Sequence, residues 1–151
     1  FMELPWDAIQ NDIDVTLKGA FHCSQAVIPL MKQNKGGKII NVSTVFTEIP
    51  VVDQAKYILS KSGLIGLARS LAVEFAKDNI QVNTVVSSIV ETDLSKHVPQ
   101  IIMEQMKQRT PMRRNASPTD VAQSIVFLAS AMAPFTTGQK LMVTGGNAPF
   151  L

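Results

Sequence analysis

Three short runs rich in β-branched residues, separated by long stretches of helical periodicity, constrain this chain more than any other feature. The runs are Lys38-Ile39-Ile40-Asn41-Val42, Ile80-Gln81-Val82-Asn83-Thr84-Val85-Val86 and Lys140-Leu141-Met142-Val143. Each reads as a buried strand. The spacing between them is too long for hairpins and suits helical crossovers, which are right-handed and join parallel strands. The class is therefore α/β with a parallel sheet of about three strands flanked by long helices. Such a sheet needs cover on both faces, and three strands are few for that, so a further part of the fold is expected elsewhere.

The intervening segments carry their own signals. Ile9, Ile13, Leu17, Phe21, Ile28 and Met31 recur at three- or four-residue steps or their sums. They predict one helix from about residue 6 to 33, ended by Gly36-Gly37. Leu59, Leu64, Leu67, Leu71 and Phe75 predict a second, from about 53 to 77. A short helix is expected at about 98–108, and another from Ser117 to near Met132. Ser117 is a natural N-cap, and Pro118 suits the first helical position because its missing N–H costs nothing there.

Composition narrows the function. The chain has 151 residues, 46% hydrophobic and 17% charged, with net charge +2. That predicts one globular domain over residues 1–151, with neither disorder nor a basic stripe for nucleic acid or a membrane surface. No apolar run is long enough to cross a bilayer. Arg113-Arg114 reads as a solvated loop. Cys23 is the only cysteine, so no intrachain disulfide or Cys/His zinc set is expected; it reads as a small buried residue in a reducing, cytoplasmic protein. No metal site is expected. Phe1 to Trp6 lacks the basic-then-apolar order of a signal peptide and reads as the middle of a longer chain.

The chemistry-bearing pair is Tyr57 and Lys61. Four residues apart on a helix, they share a face. A nearby ammonium is expected to lower the tyrosine pKa and suit it to acid–base work. Alone, this spacing is common among ordinary surface pairs. Its setting is not. Asn41-Val42-Ser43-Thr44 lies upstream. Ile80-Gln81-Val82-Asn83, Val90-Glu91-Thr92-Asp93, Arg113, Ser117 to Ala122, Phe127 to Ser130 and Thr137-Gly138-Gln139 leading to Thr144-Gly145-Gly146 follow in order.

From Trp6 to Gly146 this series resembles the short-chain dehydrogenase/reductase family, and within it the 3-oxoacyl-acyl carrier protein reductases. The resemblance implies the C-terminal part of a doubly wound Rossmann-like sheet, its last three strands side by side. It implies an oxidoreductase moving hydride between NAD or NADP and a carbonyl or secondary alcohol. Tyr57 would be the acid/base, and Lys61 would tune it and bind the nicotinamide ribose. Thr44 would polarise the substrate carbonyl, and Val90 to Thr92 would meet the carboxamide. Homo-oligomers through the two long helices are implied too.

Departures from the family pattern shape the expectations. No glycine-rich pyrophosphate turn occurs, so the N-terminal dinucleotide-binding part is expected to be absent and this chain alone inactive. Thr44 stands for the usual serine; Ser43 should face the other way along the strand. Thr16 stands where the family's helix carries asparagine in its proton relay. Ser87-Ser88 replaces Pro-Gly. These changes keep a second reading open: a degenerate module acting through oligomer or partner contacts. His22 and His97 lack companions and read as packing or surface residues. Met103, Met106 and Met112 fall where the family closes over substrate and suit either an apolar lid or ordinary packing, and Asn83 is expected to serve its strand. The edge of the first strand, left without its natural neighbour, predicts association of the isolated chain.

Overall fold

The computed structural model describes residues 1–148. Three strands, β1 (Gly37–Thr44), β2 (Ile80–Ser87) and β3 (Lys140–Val143), pair in parallel in the order β1-β2-β3. Gly37 aligns with Ile80 and Thr44 with Ser87, while Lys140 aligns with Thr84. The α/β class and the parallel order follow the sequence reading.

Alternation along the strands sends side chains to two separate cores. On one face Ile80 and Val82 pack against Ala68 and Ala72 of α3 (Ala55–Phe75) and Ile28 of α2 (Gly19–Gln33). On the other face Val85 packs against Val121 and Leu128 of α5 (Pro118–Ala129) and against Ala133. Val82 and Val85 are both fully buried, so β2 is covered on both sides. That explains its unbroken apolar run. A shorter helix, α4 (Gln100–Arg109), follows β2 after a loop.

Four expectations need correction. The helix expected over 6–33 runs unbroken from Trp6 to Gln33, but not as one regular α-helix. It runs as α1 (Trp6–Ile13), then a π turn over Asp14–Lys18, then α2. The Gly19 N–H is shared between the carbonyls of Asp14 and Thr16, which marks the wider turn. The turn packs on α3, where Leu17 presses against Gly63; a β-carbon there would stand 2.7 Å from Leu17 Cδ2. Side-chain periodicity survives one extra residue, which is why the pattern hid the π turn. Second, Cys23 is exposed, not buried: it lies on the outward side of α2, away from the buried Ser24 and Ile28.

Third, α3 begins at Ala55 rather than Asp53, which takes a left-handed φ of 59°. At its far end α5 stops at Ala129, before Met132. Ser130 turns extended there, and Lys38 Nζ donates to the carbonyls of Ser130 (2.7 Å) and Ala133 (3.0 Å). Fourth, Arg114 is not a merely solvated charge. It grips Asp120 through both nitrogens at 2.6 and 2.9 Å. Asp120 also closes the capping box with Ser117, the expected N-cap. Arg114 first and Ser117 second hold the Asp120 carboxyl well below its usual range.

Asn83 serves its strand as expected: its amide donates to Thr136 O at 2.8 Å and accepts from Gln139 N at 3.0 Å. Among the described residues no helix is long and apolar enough to cross a membrane, and no His, Cys, Asp and Glu cluster could hold a metal.

Candidate active site

In open parallel sheets the crevice beyond the carboxyl ends of the strands is the usual place for ligands. Here β1 and β2 end together at Thr44 and Ser87. A cavity of about 230 Å³ lies there, walled by Thr44, Phe46, Tyr57, Ser87, Val90 and Thr92 among others. Tyr57 reaches it from the first turn of α3. Thr44, Tyr57, Val90 and Thr92 are thus brought together. Lys61 and Thr16 are not in this wall: Lys61 stands one turn further along α3, and Thr16 lies half-buried on the π turn.

Thr44 is buried at the hinge between β1 and a 3-10 turn over Val45–Thr47. Its Oγ1 accepts from Phe46 N at 3.3 Å, and its carbonyl accepts from Thr47 Oγ1 at 2.8 Å. Ser43 turns the other way and donates to the Lys61 carbonyl at 3.1 Å. Strand alternation predicts this split, and it leaves Thr44 as the hydroxyl of this pair in the cavity wall. The turn is held from outside as well, because Glu48 pairs with Lys140 Nζ at 2.6 Å.

Burial dominates the electrostatics of Tyr57 and Lys61. It pushes the Tyr57 pKa up, and a hydrogen bond with the Thr44 side chain works against it. It pushes the Lys61 pKa down. This corrects the expectation that the lysine lowers the tyrosine. The ammonium lies 5.9 Å from the Tyr57 ring centroid and donates to the Val42 carbonyl at 3.0 Å. Its charge is engaged with the backbone rather than with the phenol oxygen.

The segment after β2 is pinned down. Val90 bridges to Ala116, Glu91 N donates to Ala116 O at 2.9 Å, and Ser88 N donates to Val143 O at 3.3 Å. Ser95 Oγ accepts from Thr92 N at 2.9 Å and donates to Thr92 O at 2.8 Å, so Thr92 is held within a closed turn. Phe46, Ile89, Leu94, Ser95 and Val98 also line the cavity, and sequence reasoning did not single them out. Phe46 and Ile89 lie two residues past the ends of β1 and β2, the one signal that could have found them. A wider cleft of about 1070 Å³ shares Thr92, Ser95 and Val98 with this cavity but includes neither Thr44 nor Tyr57. Size alone would misplace the chemistry.

Comparisons with known proteins agree with this architecture. A family model described as enoyl-(acyl carrier protein) reductase matches residues 1–148. The 3-oxoacyl-[acyl-carrier-protein] reductase of Staphylococcus aureus is 38% identical over 144 residues, and that of Thermotoga maritima is 39% identical. Each alignment covers 95% of this chain and 57% of the relative, so the chain spans little more than half the length of these proteins.

Among solved structures, a gluconate 5-dehydrogenase from Burkholderia cenocepacia, in complex with NADP and tartrate, superposes with a TM-score of 0.91 at 29% identity. It covers 96% of this chain and 58% of that one. A putative short-chain alcohol dehydrogenase from Sinorhizobium meliloti gives 0.90 at 30% identity, covering 97% and 59%. The fold is that of a Rossmann-like parallel α/β segment. The chain belongs to the short-chain dehydrogenase/reductase family and is similar to its 3-oxoacyl-[acyl-carrier-protein] reductases.

Proposed function

We propose that the whole protein carrying this chain is an oxidoreductase that interconverts a carbonyl compound and its secondary alcohol with NAD or NADP. The observation that carries the reading is the shared wall of Thr44 and Tyr57, with the Lys61 ammonium one turn away on the same helix. Thr44 offers a hydroxyl that hydrogen-bonds the carbonyl oxygen. Tyr57, like any tyrosine, is protonated at neutral pH, and burial pushes its pKa further up, so it carries the proton to be donated to that oxygen during reduction.

The donor set suits the nicotinamide end of the cofactor. A half-buried ammonium fits a ribose diol, and the pinned backbone from Val90 to Thr92 fits a carboxamide. When bound, that group supplies the hydride. Lys61 would exchange its contact with Val42 O for the ribose and so hold the ring face toward the substrate. This chain contains no glycine-rich pyrophosphate turn, so we propose that it does not turn over by itself.

The test is NADH- and NADPH-dependent reduction of a ketone panel by the whole protein. Tyr57→Phe should lower kcat/KM by about 10²–10⁴-fold, the usual worth of a positioned acid. Retained activity in that variant refutes the assignment. Titration of NADH into this chain and into the whole protein, read by fluorescence, locates the binding half.

A second reading, contact between copies through the long helices, has its own support. Val15, Phe21 and Leu59 are 72%, 45% and 46% exposed on α3 and the helical stretch before β1. An apolar groove lined by Ile13, Leu17, Phe21, Gly63 and Leu67 joins the two helical stretches, and contiguous exposed apolar surface marks interaction sites. Sedimentation at rising concentration decides it: a monomer throughout refutes the homo-oligomer.

A further inference from the structure

The turn that presents Thr44 has one hydrogen for two acceptors. Thr47 Oγ1 lies 2.8 Å from the Thr44 carbonyl oxygen and 3.0 Å from Glu48 Oε1. A threonine hydroxyl has a single hydrogen to give, so one of the two is served at any moment. A hydrogen bond to an ionised carboxylate is roughly twice as strong as one to a neutral carbonyl. On that ground alone the hydrogen would go to Glu48, and the Thr44 carbonyl would lose its hydroxyl donor.

A group on the third strand shifts this balance. Lys140 opens β3, which β2 separates from β1. Its Nζ meets Glu48 Oε2 at 2.6 Å, the carboxylate oxygen that Thr47 does not touch. Both side chains are mostly buried, so the ammonium acts on the carboxylate with little screening. Arg69 of α3 adds a weaker field of the same sign. Negative charge is thereby drawn toward Oε2, and Oε1 becomes a poorer competitor for the Thr47 hydrogen.

The carbonyl bond matters because it orients the whole residue. Thr44 sits at the junction of β1 and the 3-10 turn, and its β-branched side chain has little freedom at χ1. Where its backbone is held, its hydroxyl is aimed. The side-chain bonds of Oγ1 itself are a long one from Phe46 N, at 3.3 Å, and one with Tyr57.

Resting on the reading that Thr44 meets the substrate carbonyl, we propose that Lys140 and Thr47 are positioning residues for Thr44. Lys140 engages Glu48 so that the Thr47 hydroxyl is left to the Thr44 carbonyl, and the Thr44 hydroxyl is held toward Tyr57. Neither residue lines the cavity of Thr44 and Tyr57, so both act through Thr44.

The test uses the whole protein carrying this chain and has two readouts. The first is kcat and KM for ketone reduction. Lys140→Met lets the carboxylate take the hydrogen and should lower kcat about five- to tenfold, the worth of one hydrogen bond, with KM for the nicotinamide changed less than about twofold. Lys140→Arg should keep kcat. Glu48→Met breaks the same pair and loosens the same turn but removes the competing acceptor, so it should lower kcat less than Lys140→Met does. In a Thr47→Val background no hydrogen remains to divert. There Lys140→Met should lower kcat no further, although it still lowers the urea midpoint. Thr47→Ser keeps the hydrogen and should behave as the parent.

The second readout needs no turnover. The Tyr57 phenol is titrated by absorbance at 295 nm, as the difference between each variant and its Tyr57→Phe counterpart. Lys140→Met should move the midpoint in the same direction as Thr44→Val, and should leave it in place in the Thr44→Val background. Absence of turnover, or turnover retained in Tyr57→Phe, counts against the proposed reaction alone, and the titration still decides the role of Lys140. Equal kcat losses from Lys140→Met and Glu48→Met overturn the proposal. So does an undiminished effect of Lys140→Met in the Thr47→Val protein, or a Tyr57 midpoint that ignores Lys140→Met.

Discussion

Breaking the Glu48–Lys140 pair should loosen the turn that presents Thr44. The two groups meet at 2.6 Å, with only 16% and 25% of their side chains exposed, and they join residues far apart in the chain. At an effective dielectric constant near 20, unit charges at such a distance attract by about 6 kcal/mol. Desolvating each ion costs several kcal/mol, which consumes much of that gain. The partial exposure of both groups reduces each term, leaving a coupling of about 1–2 kcal/mol. Either single variant, Glu48→Gln or Lys140→Met, should cost about 2 kcal/mol, because the survivor keeps a half-buried charge without its partner. The double variant should then cost less than the sum of the two.

The sign with pH follows from Glu48. Its side-chain bond to Lys140, aided by Thr47 at 3.0 Å, holds its pKa below the ordinary glutamate value of 4.5. A depressed acid contributes stability that is fully present above its unfolded pKa and is lost as pH falls through the folded value. Urea melts by circular dichroism should therefore show a constant gap between the parent and Glu48→Gln above pH 5.5 or so. The gap should close as pH drops below about 4.5. Additive single variants, or a gap that does not change down to low pH, would refute the reasoning.

Three further outcomes follow from packing and capping. Gly63→Ala brings a methyl to 2.7 Å from Leu17 Cδ2, which must move aside within its open groove; that displacement should offset the helix-propensity gain of about 1 kcal/mol, and a melting temperature raised by the full propensity gain contradicts the close approach. Ser117→Ala removes one side of the capping box and should cost about 1 kcal/mol, read as a lower urea midpoint with an unchanged slope. Asn83→Leu strands the Gln139 N–H inside the fold and leaves the Thr136 carbonyl with Gln81 Nε2 as its one remaining donor among the described residues. It should cost about 2–4 kcal/mol and raise amide exchange at the start of β3 first.

The parts of this fold that were legible in the sequence are those governed by short-range pattern. β2 was readable because burial on both faces demands an apolar run, and α5 because Ser117, Pro118 and Asp120 cap it locally. Thr44 against Ser43 was readable from strand alternation alone. The π turn was not, because what accompanies it is Gly63 on another helix, far along the chain. The Glu48–Lys140 pair and the wall formed by Phe46, Ile89 and Val98 depend on which loops meet over the sheet, and no periodicity encodes that. Cys23 was misplaced for a related reason. Residue type favours burial, but the wheel of α2 puts that position outside.

The electrostatics of the site depends on geometry finer than spacing, and Tyr57 is the only tyrosine in the chain, so its phenol can be titrated directly. Spacing argues that Lys61 lowers its pKa, whereas the structure engages Lys61 with Val42 O and lets burial raise the phenol. The two views predict different titrations of absorbance at 295 nm, where phenolate formation is seen against the constant signal of Trp6. In this chain without nicotinamide, the midpoint should lie above 10.0. Thr44→Val removes the hydrogen bond that favours phenolate and should push it higher, while Lys61→Met should leave it nearly in place. Because the folded value is raised, the neutral phenol's contribution to stability is complete below pH 10 and is lost as pH rises through the folded midpoint, so circular dichroism must accompany the titration. A rise of a full unit in Lys61→Met would show that the ammonium reaches the phenolate after all. An unchanged midpoint leaves Lys61 the task of holding ribose, with the tuning of Tyr57 left to Thr44 and to burial.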